Sequence, residues 1–413
     1  MLDPDQRRLI LKRVDGSRAV EYVRSLLKIP SFSRKEREKA EYLVSVMKGL
    51  GLDAFLQEVE PGRPNAIGRA SGGGGGYTLL LNGHIDHNMV VEGWTKNPFD
   101  AVVEDGWLYG FVHMQSADGA YLAALEAVVD SGLELRGDVM LQFVVGELQG
   151  GLGTKHALRK GLVGDFYIVG EPSNLSIITQ YSGHVVMRVN TLGRSKHFTA
   201  RLPPGQKGIS AIEQMVKVVQ ALGKSHTQIA PGGWLSFKER DRWLAWPQIN
   251  VGVIKGGIGR DCEDWRPALL PDFCTMLVDF RTMPGQNAHT VKRDLTRLLE
   301  GLKHMDPDFG YELDQFASEG FPEEGFEEPT DTLVFQAVSE GHEAVTNRPP
   351  QVNGEYPKVC DAAHLSKAGI QGLVYGPSGK FTSQPDERVE VTEIVTAAKT
   401  YAFAIADIAT RSR

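Results

Sequence analysis

The sequence predicts an α/β protein, a mostly parallel-sheet domain interrupted by an inserted α+β domain. Through the first 180 residues, apolar runs that read as strands buried on both faces alternate with helical stretches. Near Tyr181 the pattern turns to alternating, half-buried strands with amphipathic helices, and βα order resumes toward the C-terminus. At roughly 150 residues per domain, the 413 residues suit two or three domains. The boundaries expected are 1–180 with 303–413 for the sheet domain and 181–302 for the insert.

The elements follow in order. Ala40, Leu43, Val44 and Met47 fall at i, i+3, i+4, i+7, and Gly49 and Gly51 end that helix. Five consecutive glycines, Gly72 to Gly76, predict an exposed, mobile hairpin tip. They are no phosphate cradle, because no Lys-Ser/Thr follows. YTLLLNGHIDH is then a buried strand, AYLAALEAVVDSG a helix stopped at Gly132, and VMLQFVVGE and DFYIVGE two more strands. In the insert, GHVVMRVNTLG, QINVGVIKGG and FCTMLVDFRTMPG read as strands, and GISAIEQMVKVVQALG and TVKRDLTRLLEGL as helices.

Composition narrows the function classes. Hydrophobic residues make up 41% and charged ones 23%, ordinary for a globular protein with a large core. The net charge of −7, with its basic residues dispersed, argues against nucleic acid as a partner. No apolar run reaches the ~18 residues of a membrane span, and charges interrupt MLDPDQRRLILKRV too early for a secretory signal. Cys262, Cys274 and Cys360 are too few and scattered for a disulfide framework or a cysteine zinc site. A cytoplasmic protein with no membrane partner is expected.

Three predicted buried strands end in chemistry: His84 with Asp86 on the first, Glu147 on the second, Glu171 on the third. Ligand crevices of open α/β sheets lie outside such strand ends. Surface caps explain three converging Gly-His/Glu endings poorly.

LNGHIDHNMVVEGWTKNPFDAVVEDGWLYG resembles the metal-binding stretch of the M20 family of metallopeptidases and amidohydrolases, which includes acetylornithine deacetylase, succinyl-diaminopimelate desuccinylase and carboxypeptidase G. GELQGGLGT, VGEPSNLSI, VNTLGRSKHFTA, LLPDFCTMLVDFRTMPG and YGPSG…PDERVEV follow in family order, so the likeness runs from about residue 20 to the C-terminus. It implies a catalytic domain with an inserted lid or dimerisation domain. It also implies two zinc ions that polarise an amide carbonyl and activate a water, and a Glu that moves the proton to the leaving amine.

Position by position, the resemblance implies His84 as the first metal ligand, Asp86 as the carboxylate orienting it, Glu147 as general base and Glu171 as a carboxylate ligand. It implies His197 as the histidine acting across a homodimer and Arg281 as the substrate-carboxylate arginine. The chain also departs from the family. Leu148 replaces the second carboxylate ligand, Ser383 stands at the C-terminal His ligand, and Ala268 at an Asn of the insert. The bridging Asp has three candidate positions, His113, Gln115 and Asp118; the register that keeps Met114 in phase selects His113.

Leu148 and Ser383 cannot hold zinc, so a second ion is not expected. His84, His113 and Glu171 supply two histidines and a carboxylate, a recognised one-zinc catalytic set. If His113 instead fills space left by lost metal, the site is metal-free. The functional expectation is an M20-type hydrolase cleaving the amide of an N-acyl amino acid or short peptide, with at most one zinc ion and Glu147 as base. The alternatives are a metal-independent enzyme built on Glu147, Glu171, His84 and His113, and a non-catalytic carboxylate-binding homologue. Trp243 and Trp265 are candidate pocket residues, and His87, Asn88, Trp94 and Trp107 read as structural.

Overall fold

The computed structural model describes residues 2–201, 203, 207–224, 227–230, 232–237, 246–263, 266–316, 320–353 and 359–413. Trp243 and Trp265 lie outside the described residues. The chain forms two compact units, Met1–Gln180 with Glu327–Tyr356 and Cys360–Arg413, and Tyr181–Phe326 with Pro357–Val359.

The first unit is built on a six-stranded sheet in the order Asp53–Glu60, Arg63–Ala70, Val139–Val144, Leu79–His84, Phe166–Val169, Gln371–Val374. The last four strands run parallel, and the first two form an antiparallel edge. Every residue of LLLNGH and VMLQFV is buried, as a strand covered on both faces requires. The cover comes from helices, among them Gly16–Leu27, Val112–Asp130 and Val391–Ala409, which pack on one another. Ala40, Leu43, Val44 and Met47 form the buried stripe of the Arg37–Gly49 helix. Truncating a core side chain such as Leu81, fully buried, would cost about 2–5 kcal/mol.

The glycine run is not a hairpin tip. It links strands that are not sheet neighbours, and Gly73 N and Gly74 N donate to Leu135 O and Arg136 O, both at 2.8 Å. At Gly76 a Cβ would lie 2.3 Å from Gly137 N, so part of the run is glycine for close approach.

The second unit is an α+β layer pair. Its antiparallel sheet has the order Thr227–Gln228, Gln248–Gly257, Phe273–Thr282, Gly183–Leu192, Gly310–Gln315. Alternate residues Val185, Met187, Val189, Met276, Val278 and Phe280 are buried in one core with the Ala211–Leu222 and Ala288–Met305 helices. The insert does not close at residue 302. GYELDQ pairs antiparallel with the Gly183–Leu192 strand, from Gly310↔Leu192 to Gln315↔Met187, and the unit continues to Phe326. That half-buried edge strand is polar and lacks the apolar run by which the other strands were read. Among the described residues, no helix is long and apolar enough to cross a membrane.

Candidate metal and catalytic site

The Val139–Val144, Leu79–His84 and Phe166–Val169 strands are sheet neighbours running parallel, so their C-terminal ends lie side by side. The residues at those ends, His84 and Asp86, Glu147 and Glu171, are therefore brought together. Local backbone makes room for them. Glu147 opens a 3₁₀ turn, Glu147–Gln149, flanked by Gly146, Gly150 and Gly151, all with φ between +71° and +87°. These are left-handed conformations that glycine adopts without steric cost.

His84 is 1% exposed. Its Nδ1 lies 2.9 Å from the backbone oxygen of Asp86 and 3.6 Å from the Asp86 carboxylate, too far for a hydrogen bond. The sequence reading gave the orienting role to that carboxylate; the backbone carbonyl performs it, because the turn after the strand folds the main chain under the ring. An Nδ1–H donor leaves Nε2 as the lone-pair nitrogen. That Nε2 is buried without a hydrogen-bond partner, 3.5 Å from Glu171 Oε1. The Asp86 carboxylate turns the other way. It accepts from Glu147 N at 3.1 Å, Leu148 N at 3.2 Å and Ser33 Oγ at 3.3 Å.

His113 completes the group: its Nε2 is 2.8 Å from Glu171 Oε2, and its ring stands edge-on to His84 at 5.0 Å between centroids. His84, His113 and Glu171 each present one ligand atom, all within 4.8 Å of one another. Two imidazoles and a carboxylate at that spacing, with the His84 nitrogen unsatisfied, fit one divalent ion of the zinc type. The other bridging candidates point elsewhere. Gln115 accepts from Lys39 Nζ at 2.9 Å and donates to His84 O at 3.3 Å. Asp118 is buried against Gly83 with both oxygens unpartnered.

Two further positions present no ligand. Leu148 is 39% exposed, and the Ser383 hydroxyl accepts from Asn88 Nδ2 at 3.0 Å. Glu387 ties the Ser383 and His113 segments together, accepting from His113 N at 2.7 Å and Ser383 N at 2.9 Å.

The electrostatics follow from packing several acids around one imidazole. Burial works against a charged His84, yet Asp86, Glu147 and Glu171 outweigh it and hold its pKa well above the ordinary value. Burial lifts Glu147 well above the usual carboxylate range; His84 opposes this, and Glu171, Asp361 and Asp86 add to it. Asp86 is held low: burial pushes it up, but His84 and the two N–H donors prevail. Glu387 is pushed up to about 7 by burial.

Three buried groups here escaped the sequence reading: Lys39, Asp361 and Glu387. Lys39 stands four residues before Leu43, on the apolar stripe of its helix, which was a readable anomaly. Asp361 sits just ahead of the Ala362–Lys367 helix and looks in sequence like any helix-start acid.

His197 and Arg281 both belong to the second unit. His197 is half-buried, with Nδ1 2.8 Å from Thr199 Oγ1. Arg281 pairs with Asp279 (Nε–Oδ1 3.1 Å), which also meets His184 Nε2 at 3.2 Å. Arg281, Asp279, Gln248 and Asn250 line a cavity of about 200 Å³.

Known proteins share both the sequence pattern and the fold. The model of peptidase family M20/M25/M40 matches residues 80–407. An N-formyl-4-amino-5-aminomethyl-2-methylpyrimidine deformylase of Bacillus subtilis (strain 168) is 26% identical over 379 residues, 86% of this chain and 85% of its own. An acetylornithine deacetylase of Photorhabdus laumondii is 26% identical over 394 residues, 91% and 93% of the two chains. The crystal structure of aminopeptidase PepT from Bacillus cereus ATCC 10987 has a TM-score of 0.75, covering 96% of this chain and 100% of that one at 16% identity, a likeness of fold.

Proposed function

The chain belongs to peptidase family M20/M25/M40 and is a hydrolase of amide bonds, and we propose that it works with one divalent ion held by His84, His113 and Glu171 and with Glu147 as general base. The observation that carries the reading is the His84–His113–Glu171 cluster with an unpartnered, buried Nε2. When bound, such an ion supplies Lewis acidity to the amide carbonyl and a lower pKa for the attacking water.

The chain's own residues do the rest. The backbone of Asp86 fixes the His84 ring with its buried Nε2 facing Glu171, and the Asp86 carboxylate clamps the turn that carries Glu147. Glu147 removes a proton from the attacking water. As the C–N bond breaks, it delivers that proton to the departing amine nitrogen, so the carboxylate ends as it began. Leu148 and Ser383 give no carboxylate or imidazole, which is why a second ion is not assigned.

The substrate class proposed is an N-acyl or N-formyl amine, or a short peptide, in keeping with relatives named as a deformylase and a deacetylase. From the family likeness, His197 is assigned to oxyanion support across a homodimer and Arg281 to a substrate carboxylate. A cytoplasmic location is part of the same proposal.

The test is hydrolysis of a panel of N-formyl, N-acetyl and N-succinyl amino acids and amines and dipeptides, before and after chelation. The reading expects turnover that chelation removes, zinc restores, and Glu147→Gln lowers roughly 10²- to 10⁴-fold. Full activity after chelation, or no effect of Glu147→Gln, would contradict it.

A further inference from the structure

Four exposed apolar side chains stand on two loops that leave the candidate site. Met89, Val90 and Val91 are consecutive, with Met89 70% exposed, and Phe381 is exposed on the second loop. Single exposed apolar residues are ordinary on a protein surface. A run of three, with a phenylalanine on the loop tied to it, is a patch, and apolar patches mark docking places. Leu148 adds another partly exposed apolar side chain one residue after the proposed base, its N–H held by Asp86.

Both loops are anchored in the site and fixed to each other. The first continues the strand that ends in His84. Its base is pinned at His87, whose ring stacks on Phe111 at 4.3 Å between centroids and whose Nε2 accepts from Ser31 N at 2.8 Å. The second, 380–388, closes where Lys380 N donates to Arg388 O at 2.7 Å, and its Glu387 accepts from the N–H of His113. Asn88 Nδ2 donates to Ser383 Oγ at 3.0 Å, and Asp386 accepts from Thr95 N and Thr95 Oγ1, both at 2.8 Å. Phe381 and Ser383 both have φ of +60°, a left-handed conformation that persists in such residues only where surrounding contacts impose it. Arg388 covers one face of the Phe381 ring, 4.9 Å from its centroid, and the side chain is still exposed. The two loops thus hold the patch out in water beside the proposed ligands, as a preformed wall.

We propose that this rim binds an apolar group of the substrate, so that the amide cleaved carries an alkyl or aryl substituent of several carbons next to the scissile bond. The inference rests on the reading of His84, His113, Glu171 and Glu147 as an amide-hydrolysing site. From Asp86 to Thr95 the first loop has no lysine or arginine, so it offers a succinyl carboxylate no counter-charge. An apolar substituent laid on it takes surface of both partners out of water, worth about fourfold in binding for each fully buried methylene.

The test has two arms. One compares kcat/KM for N-acetylglycine, N-butanoylglycine and N-hexanoylglycine; the other compares N-acetylglycine with N-acetylleucine and N-acetylphenylalanine. At about twofold per methylene on a half-covered surface, the arm whose substituent meets the rim should rise at least ~tenfold across its series. A rise in the first arm puts the apolar group on the acyl side, and a rise in the second puts it on the amine side. In the double variant Met89→Ser, Val91→Ser the rising ratio should fall at least ~threefold toward one. No rise in either arm, or a rise that the double variant leaves intact, would overturn the proposal. Flat ratios with a double variant that sediments as a lighter species than wild type would overturn it too, giving the rim to a second copy of the chain. Binding needs no turnover: ketone analogues of the same compounds, with CH2 in place of the amide N–H, should show the same order of affinity by isothermal titration and the same loss in the double variant. A chain that hydrolyses nothing yet keeps that order would sink the catalytic reading alone. A chain that cleaves N-acetylglycine with flat ratios and flat affinities would sink the rim alone.

Discussion

The Asp86 carboxylate holds Glu147 by its main chain: Oδ1 accepts the Glu147 N–H at 3.1 Å, and Oδ2 accepts the next N–H, of Leu148, at 3.2 Å. The imidazole of His84 takes the Asp86 backbone oxygen instead. Asp86 thus serves the proposed general base, Glu147, more directly than the proposed ligand His84. Asp86→Asn puts an amide donor against one of those N–H groups. It should cost about 1–3 kcal/mol of stability in urea unfolding, and lower kcat by a larger factor than it weakens zinc binding. A variant that loses zinc affinity first would show that the carboxylate acts through the imidazole.

By the family resemblance, three positions separate the proposed one-ion site from a two-ion one: His113, Leu148 and Ser383. Leu148 is partly exposed and Ser383 is held by Asn88 at the surface, so both can change without opening the core. The triple variant H113D/L148E/S383H is expected to bind a second zinc ion, read by isothermal titration. Leu148→Glu alone should not, because one added carboxylate cannot hold an ion. Unchanged stoichiometry in the triple variant would mean that the geometry, and not the ligand identity, forbids the second ion.

The dimer proposal has its own test. If His197 acts from a partner chain, Glu147→Gln and His197→Ala variants, each inactive alone, recover part of the activity when their subunits are mixed and exchanged. Sedimentation should give twice the 45.3 kDa chain mass. Failure of mixed subunits to regain activity, with exchange demonstrated, would place His197 outside a shared site.

Lys39 supplies a pH signature away from the proposed ligands. Burial pushes its ammonium down to about 7, from 10.5 for a free lysine. Between those values the unfolded chain carries a proton that the folded chain lacks, so stability rises with pH by at most ~1.4 kcal/mol per unit. The cost of burying Lys39 is largest at pH 7 and below and is gone above 10.5. Lys39→Met removes it, and Asp118, whose own pKa burial raises, stays neutral in its place. Relative to wild type, the variant should gain most in urea unfolding at pH 7 and below, and lose its advantage above pH 10.5. An advantage independent of pH would contradict this.

The fold class was legible because the signals were local: LLLNGH and VMLQFV are continuous apolar runs, and their acids follow at the strand ends where a parallel sheet gathers ligands. The edge strand GYELDQ was not legible, since an edge needs no apolar run and its pairing partner lies more than a hundred residues earlier. Asp86 shows a finer limit. Sequence spacing placed it beside His84, but could not tell its backbone oxygen from its carboxylate. The buried Asp361 and Lys39 meet residues far along the chain, Lys39 with Gln115 and Asp361 against Gly151; Lys39 stands out on an apolar stripe, but neither partner is announced locally.

Metal content measured on the purified chain, alongside activity before and after chelation, bears most directly on the account. One zinc ion per chain is expected, lost together with activity in His84→Ala and His113→Ala. Two ions per chain, or full activity with none, would contradict it.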